Sequence, residues 1–296
     1  MEKKVVVSMA ALLLFAATTA FGQAKLGIDG AIEWDTMKIN ATVSLDMASA
    51  GLKLPGGRMQ SEALIASEYL SLIRPGILNL QVDSSSVVAD LLRRGEWNSL
   101  DVDNLALQVR AVPPALSADF SSLLAFYTLD MAGISTALVR HGRITEIQGT
   151  LNPVSAPTYT GIVIIASETL PVHGTRSAAL LRPCLFPKIW DSDMKLIFER
   201  NMFNPQAGTM VHYFSMREIF AGGPSGLSPE ITAIVGSRPL RIFASGVFGI
   251  QPTDPIISRE DALLIISSSE NRNLLREGRV AVIIDGAMLK SPLQSE

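Results

Sequence analysis

Three histidines, one cysteine and two short acidic clusters are the places where this chain could do chemistry. His141 follows Arg140 at the end of an apolar segment, His173 sits in a Pro-Val-His-Gly turn, and His212 alternates with Val211 and Tyr213 in a strand-like run. No two of them have the spacing that puts a pair of imidazoles on one helix face, so no metal-ligand pair is expected. Cys184 lies between Pro183 and Leu185 with no histidine beside it in sequence, and reads as a buried free thiol. No G-x-S-x-G elbow is present to set up a serine nucleophile.

Asp191-Ser192-Asp193 and Asp101-Val102-Asp103-Asn104 carry spaced carboxylates of the kind a calcium loop uses. Lys195 and Ala106 stand where such a loop needs an oxygen ligand or a glycine, and the closing glutamate is missing, so both read as turns. Gly222-Gly223-Pro224-Ser225-Gly226 lacks the Lys-Ser or Lys-Thr of a phosphate cradle and reads as a loop or insertion. Trp34, Trp97 and Trp190 read as core or domain-contact aromatics. The residue types therefore assign no catalytic residue, no metal and no cofactor, and leave the histidines with structural or surface roles.

The first twenty-four residues are more explicit. Glu2-Lys3-Lys4 precedes an uncharged apolar run from Val5 to Ala17, and small residues at Ala20, Gly22 and Ala24 follow. That is the pattern of a secretory signal peptide, residues 1–22, cut near Gly22 or Ala24. The apolar run is too short to span a bilayer comfortably and no stop-transfer pattern follows, so the expected product is a periplasmic protein with no transmembrane anchor. No cysteine near the cut could carry a lipid.

The remainder is long enough for one large or two ordinary domains, and two are expected. With a formal net charge of −3 and scattered Lys and Arg residues, no nucleic-acid partner is expected. One cysteine permits no intramolecular disulfide, so stability must come from burial, for which a hydrophobic share of 48% suffices.

Residues 31–48 alternate with period two, slip by one around Asp35-Thr36, and read as a hairpin or a bulged strand. From Arg58 the period becomes helical, with Met59, Ala63, Ala66, Leu70 and Ile73 on one face, until Pro75-Gly76 kinks or ends the helix. Asp83 to Ser86 offer N-caps for a helix through Leu92 that Gly95 closes. Residues 105–112 read as a strand stopped by Pro113-Pro114, and Leu123 to Val139 is ambiguous between strand and helix. Gly149 to Pro157 reads as a linker. Beyond it, Tyr159–Ala166, Leu240–Ala244 and Arg279–Ile284 read as strands, and Cys184–Phe198 as a hairpin turning at Asp191-Ser192-Asp193. Ser258 caps a helix from Arg259 to near Ser268, with Asp261 closing a capping box. On the last strand, either Val280 and Val282 or Ala281 and Ile283 face the core. The fold class is α+β: two domains, 25–148 and 150–290, with mostly antiparallel sheets covered by helices.

Two blocks, Leu54 to Gln60 and Leu80 to Asp90, with the helix between them, resemble the LPP-twenty family of exported lipoproteins and the N-terminal domain of flagellar assembly protein T. In the second half, Tyr159 to Ile164, Pro187 to Asp191, Ile257 to Ala262 and Arg279 to Val282 resemble blocks of exported bacterial proteins, spirochaete ones among them. Against those patterns, Arg74-Pro75-Gly76 breaks the first helix, Met194 replaces a turn glycine, and the lipid-carrying cysteine is absent. The resemblance brings no catalytic residues. It implies a non-enzymatic scaffold or interaction protein with an envelope or flagellar partner; a small-molecule binding or carrier module, using a cleft between the halves, is the alternative.

Overall fold

The computed structural model describes residues 26–53, 56–139, 143–221 and 226–293; the segment read as a signal peptide, His141 and most of the Gly222–Gly226 loop lie outside the described residues. Period-two patterning places the first strands. β1 (Leu26–Glu33) and β2 (Lys38–Asp46) form a hairpin in unbroken register, and the slip at Asp35-Thr36 is its turn. Ile39, Ala41, Val43 and Leu45 are buried while their neighbours stay half-exposed, as one face of an antiparallel sheet requires.

α1 (Gly57–Leu78) lies where the helical period begins, but its buried stripe is Ser61, Ile65, Tyr69, Ile73 and Ile77. Met59 is 80% exposed and Ala63 and Ala66 face outward, so the face expected to be buried is for the most part the outer one. The helix also runs through Pro75 for three more residues. Gly76 is needed there, because a Cβ would sit 2.3 Å from Leu293 Cδ1 of the distant C-terminal segment.

β3 (Gln81–Asp83) and β4 (Ser86–Val87) make a small hairpin, followed by α2 (Val88–Arg93), with Gly95 at positive φ past its end. Asp83 organises the hairpin turn by accepting from the Ser85 N–H and the Ser85 and Ser86 hydroxyls, and Asp90 accepts from the Val87 N–H at the helix start. α3 (Ser99–Ala106) occupies the start of the stretch expected to be a strand. β5 (Arg110–Leu116) begins later and carries Pro113 and Pro114 within it, which an edge strand with an irregular register tolerates. The ambiguous segment is both things in turn: β6 (Ser122–Asp130), then α4 (Met131–Leu138) capped by Asp130.

No helix or strand forms between Leu138 and Ile162 among the described residues. The second half follows with β7 (Ile162–Ala166), β8 (Leu170–Pro171), β9 (Ala178–Ala179), β10 (Ile189–Asp191) and β11 (Leu196–Phe198). The β10–β11 turn is where Asp191-Ser192-Asp193 was expected to make one, and Asp191 Oδ1 accepts the Asp193 and Lys195 N–H groups. Then come β12 (His212–Ser215), α5 (Met216–Phe220), α6 (Pro229–Val235), β13 (Leu240–Phe243), β14 (Gly246–Phe248), β15 (Asp254–Ile257), α7 (Arg259–Ile266), α8 (Ser269–Arg276), β16 (Val280–Ile284) and β17 (Lys290–Pro292).

The fold is two-domain α+β with mostly antiparallel pairing. The first half holds the sheet β17-β1-β2-β6-β5, antiparallel throughout; the second holds a mixed sheet β11-β10-β15-β14 and one wholly parallel sheet, β12-β16-β7-β13. β16 is central in that parallel sheet and buried on both faces. Val280, Val282 and Ile284 join the main core and Ala281 and Ile283 a second cluster beneath α5 and α6, so the two expected alternatives are both realised.

The halves are sewn together by main chain. β17 leaves the second half to pair with β1, Trp34 N–H donates to Leu289 O at 2.9 Å, and Leu293 N–H donates to Gly30 O at 3.0 Å. On the other side of the junction Leu185 and Phe186 N–H donate to Gln81 and Val82 O, and Gln251 N–H donates to Ser84 O. One contiguous core runs from Ile39 and Ile73 through Phe186 and Tyr213 to Val282.

Candidate functional site

The chemically loaded residues gather where the β3–β4 turn meets the second half. Asp254 opens β15 and is fully buried. Its carboxylate accepts from Lys188 N–H at 3.1 Å, Thr253 Oγ1 at 3.0 Å, Trp190 Nε1 at 3.5 Å and the Ser84 hydroxyl from the other half. Burial raises its pKa, and the hydrogen bonds from Lys188, Ser84, Thr253 and Trp190 offset this in part. Asp83, one residue before Ser84, goes the other way: burial pushes it up, but hydrogen bonds from Ser86 and Ser85 outweigh that and hold it below the usual carboxylate range. Gly249 sits against Ser84 at φ +115°, and a Cβ there would lie 2.3 Å from the Ser84 Cβ.

Next to Asp254, Cys184 and Tyr213 close on each other. The Cys184 N–H donates to the Tyr213 hydroxyl at 3.1 Å, and that hydroxyl donates to Cys184 O at 2.9 Å. Burial, with Asp254 nearby, pushes the thiol pKa well up, which keeps the sulfur protonated and unreactive. The expectation of a buried free thiol holds. Tyr213 also meets the edge of Trp34, at 5.9 Å between ring centroids and 82° between planes, so Trp34 is the domain-contact aromatic expected of it.

Beside this network a cleft of about 300 Å³ opens at the junction, floored by Trp34 and Ile32 and rimmed by Asn79, Arg182, Lys290 and Ser291. Sequence reasoning did not place Asp254, Arg182 or Lys290 at a site. Only the fold brings positions so distant in sequence together, and none of the three sits in a motif.

The residues singled out from the sequence are dispersed. His173 lies exposed in its turn with its ring edge on Phe248, and His212 is mostly buried on β12, its pKa lowered by burial. Of the two clusters read as turns, residues 101–104 lie within α3 and residues 191–193 make the β10–β11 turn; Asp103 pairs with Arg74 at 2.5 Å and Asp193 with Arg259 at 3.2 Å, structural pairs in both cases. Among the described residues no group of three or more His, Cys, Asp or Glu could hold a metal ion. Trp97 is buried with no acceptor for its Nε1, whereas Trp190 donates to Asp254.

Residues 25–137 match the family model described as Treponema pallidum Tp0624, N-terminal domain, and residues 161–286 the one described as Treponema pallidum Tp0624, second domain. The chain resembles Tp0624 in both halves. The Tp0624-like segments occur in the order their descriptions give, and the stretch read as a linker falls in the gap between them. These matches support a family of spirochaete type; they bring in neither the LPP-twenty proteins nor flagellar assembly protein T. No curated protein matches the chain. No described helix is long and apolar enough to cross a membrane.

Proposed function

We propose that the protein is an exported, non-enzymatic scaffold of the cell envelope, whose two halves present one rigid surface to a protein partner. The observation that carries this reading is the seam. β17 completes the sheet of the first half, backbone hydrogen bonds cross at both edges of the junction, and the core is continuous. A module that works by hinged closure needs an interface it can part; this one would break sheet pairing and bare apolar surface. The reactive groups fit the same reading, since Cys184, Tyr213 and Asp254 spend their polar atoms on buried hydrogen bonds, and Asp254 accepts from Ser84 across the junction. Export and periplasmic residence rest on the charged start and short apolar run of residues 1–22. An LPP-twenty-like association with an envelope or flagellar partner rests on the Leu54–Gln60 and Leu80–Asp90 blocks and belongs to the same proposal.

Affinity capture of the tagged protein from the producing cell's envelope, after brief cross-linking, is the test. A stoichiometric envelope protein is the expected result. A co-purifying small molecule with no protein would move the conclusion to the second reading, a binding or carrier module, which the junction cleft favours.

A further inference from the structure

The junction cleft has an apolar floor and a rim of hydrogen-bond donors. Its volume, about 300 Å³, is at the small end of ligand sites and suits a body the size of one amino acid. The floor is Trp34, 3% exposed, with Ile32 and Met288 beside it. The indole N–H of Trp34 has no acceptor among the described residues, yet it is not one of the sealed orphan groups.

The rim follows from the register of β17. Leu293 N–H to Gly30 O and Trp34 N–H to Leu289 O mark the hydrogen-bonded pairs of the β1–β17 ladder, which alternate along it. Lys290, lying between two such pairs, points its N–H and C=O away from β1. Among the described residues nothing takes the Lys290 N–H, the Ser291 hydroxyl or the Asn79 side-chain amide. Arg182 gives one N–H to Gln251 Oε1 at 2.9 Å and has no acidic partner there. The cleft is lined by no Asp or Glu among the described residues, and Glu33 nearby is matched by the Lys290 ammonium at 3.3 Å.

We infer that this cleft binds a carboxylate carried on a small apolar body. The guanidinium of Arg182 supplies the fork that a carboxylate accepts, the Lys290 N–H and Ser291 hydroxyl supply further donors, and the apolar body lies on Trp34 and Met288. A free acid and the C-terminus of a peptide share this chemistry; the open edge of β17 lets a peptide continue as an added strand. The inference goes beyond the scaffold reading and stands apart from it, since partner capture does not depend on occupancy of the cleft.

The test titrates the whole protein with N-acetyl-leucine, N-acetyl-leucinamide and an N-acetylated tripeptide ending in a leucine carboxylate, following heat and the Trp34 indole N–H resonance. Saturable binding of N-acetyl-leucine that shifts Trp34 is expected, with the amide weaker by about tenfold or more. Arg182→Ala should weaken the acid by about the same factor, while Arg58→Ala, remote on α1, leaves it unchanged. A tripeptide that binds tighter assigns the cleft to peptide C-termini, and one no tighter assigns it to free acids. Absence of saturable binding, equal binding of acid and amide, or undiminished binding by Arg182→Ala would overturn the inference; Ser291→Ala provides a second reading of the rim should Arg182→Ala fail to fold.

Discussion

Tyr213→Phe removes one oxygen and nothing else from the buried network beside the seam. That oxygen accepts the Cys184 N–H at 3.1 Å and donates to the Cys184 carbonyl at 2.9 Å, all within a fully buried pocket. Both Cys184 main-chain groups lose their partner, and each buried orphan costs about 1–3 kcal/mol. Phe keeps the ring that meets Trp34 edge-on, so packing is preserved. Relief from burying the hydroxyl offsets part of the loss, leaving roughly 2–4 kcal/mol, a large share of the about 5–15 kcal/mol that holds a typical domain folded. Urea unfolding followed by tryptophan fluorescence and by circular dichroism reads it. The midpoint should fall with the slope unchanged, and the two probes should stay coincident, because one contiguous core spans both halves. A loss below about 0.5 kcal/mol would refute the claim that the buried network beside the seam is tightly satisfied.

Four other changes test neighbouring parts of the account. Tyr69→Phe should be neutral or stabilise by up to about 1 kcal/mol, because the Tyr69 hydroxyl is buried with no partner while its ring stacks on Tyr127 at 4.1 Å; a clear loss in thermal unfolding would contradict this. Ser258→Ala should cost about 1 kcal/mol by urea unfolding, since Ser258 Oγ accepts the Asp261 N–H at 3.0 Å and donates to Asp261 Oδ2 at 2.8 Å. Asp254 has a folded-state pKa above its ordinary 3.8, so the stability it contributes is fully present below 3.8 and lost as pH rises through the raised value. Urea midpoints of Asp254→Asn, compared with the unsubstituted protein across that window, should therefore improve in relative terms as pH rises, and a constant difference would contradict the shift. Alanine at His173 or His212 should leave partner capture intact in the folded protein; loss of it would bring catalysis or ligation by histidine back into consideration.

Elements whose own sequence carries the burial pattern were legible. The β1–β2 hairpin follows from period-two alternation, the Asp191 turn and the Ser258 cap from local side-chain chemistry, and β7 and β16 from apolar, mostly β-branched runs. What failed depends on distant residues. The buried face of α1 includes Gly57, Ser61 and Gly76 while Met59 points outward, a choice made by Leu52 and Leu293 packing against the glycines. Pro75 does not end α1, because the packed turn around Gly76 outweighs one lost hydrogen bond. Pro113 and Pro114 fit in β5 only because that strand lies at the sheet edge. The parallel order β12-β16-β7-β13 is a matter of long connections, on which residue periodicity is silent. The junction site was illegible for the same reason: Ser84, Arg182, Asp254 and Lys290 meet only after both halves have folded.

Cleavage of the chain between Gly149 and Pro157 tests the central claim most directly. This stretch carries no helix or strand, and Leu151 is fully exposed, so a protease can reach it without unfolding either half. The nicked protein should elute in native size-exclusion chromatography as one particle of undiminished mass and should unfold in one transition, because β17, the β3–β4 turn and the shared core still hold the halves together. Two separable, independently folded fragments would contradict the account.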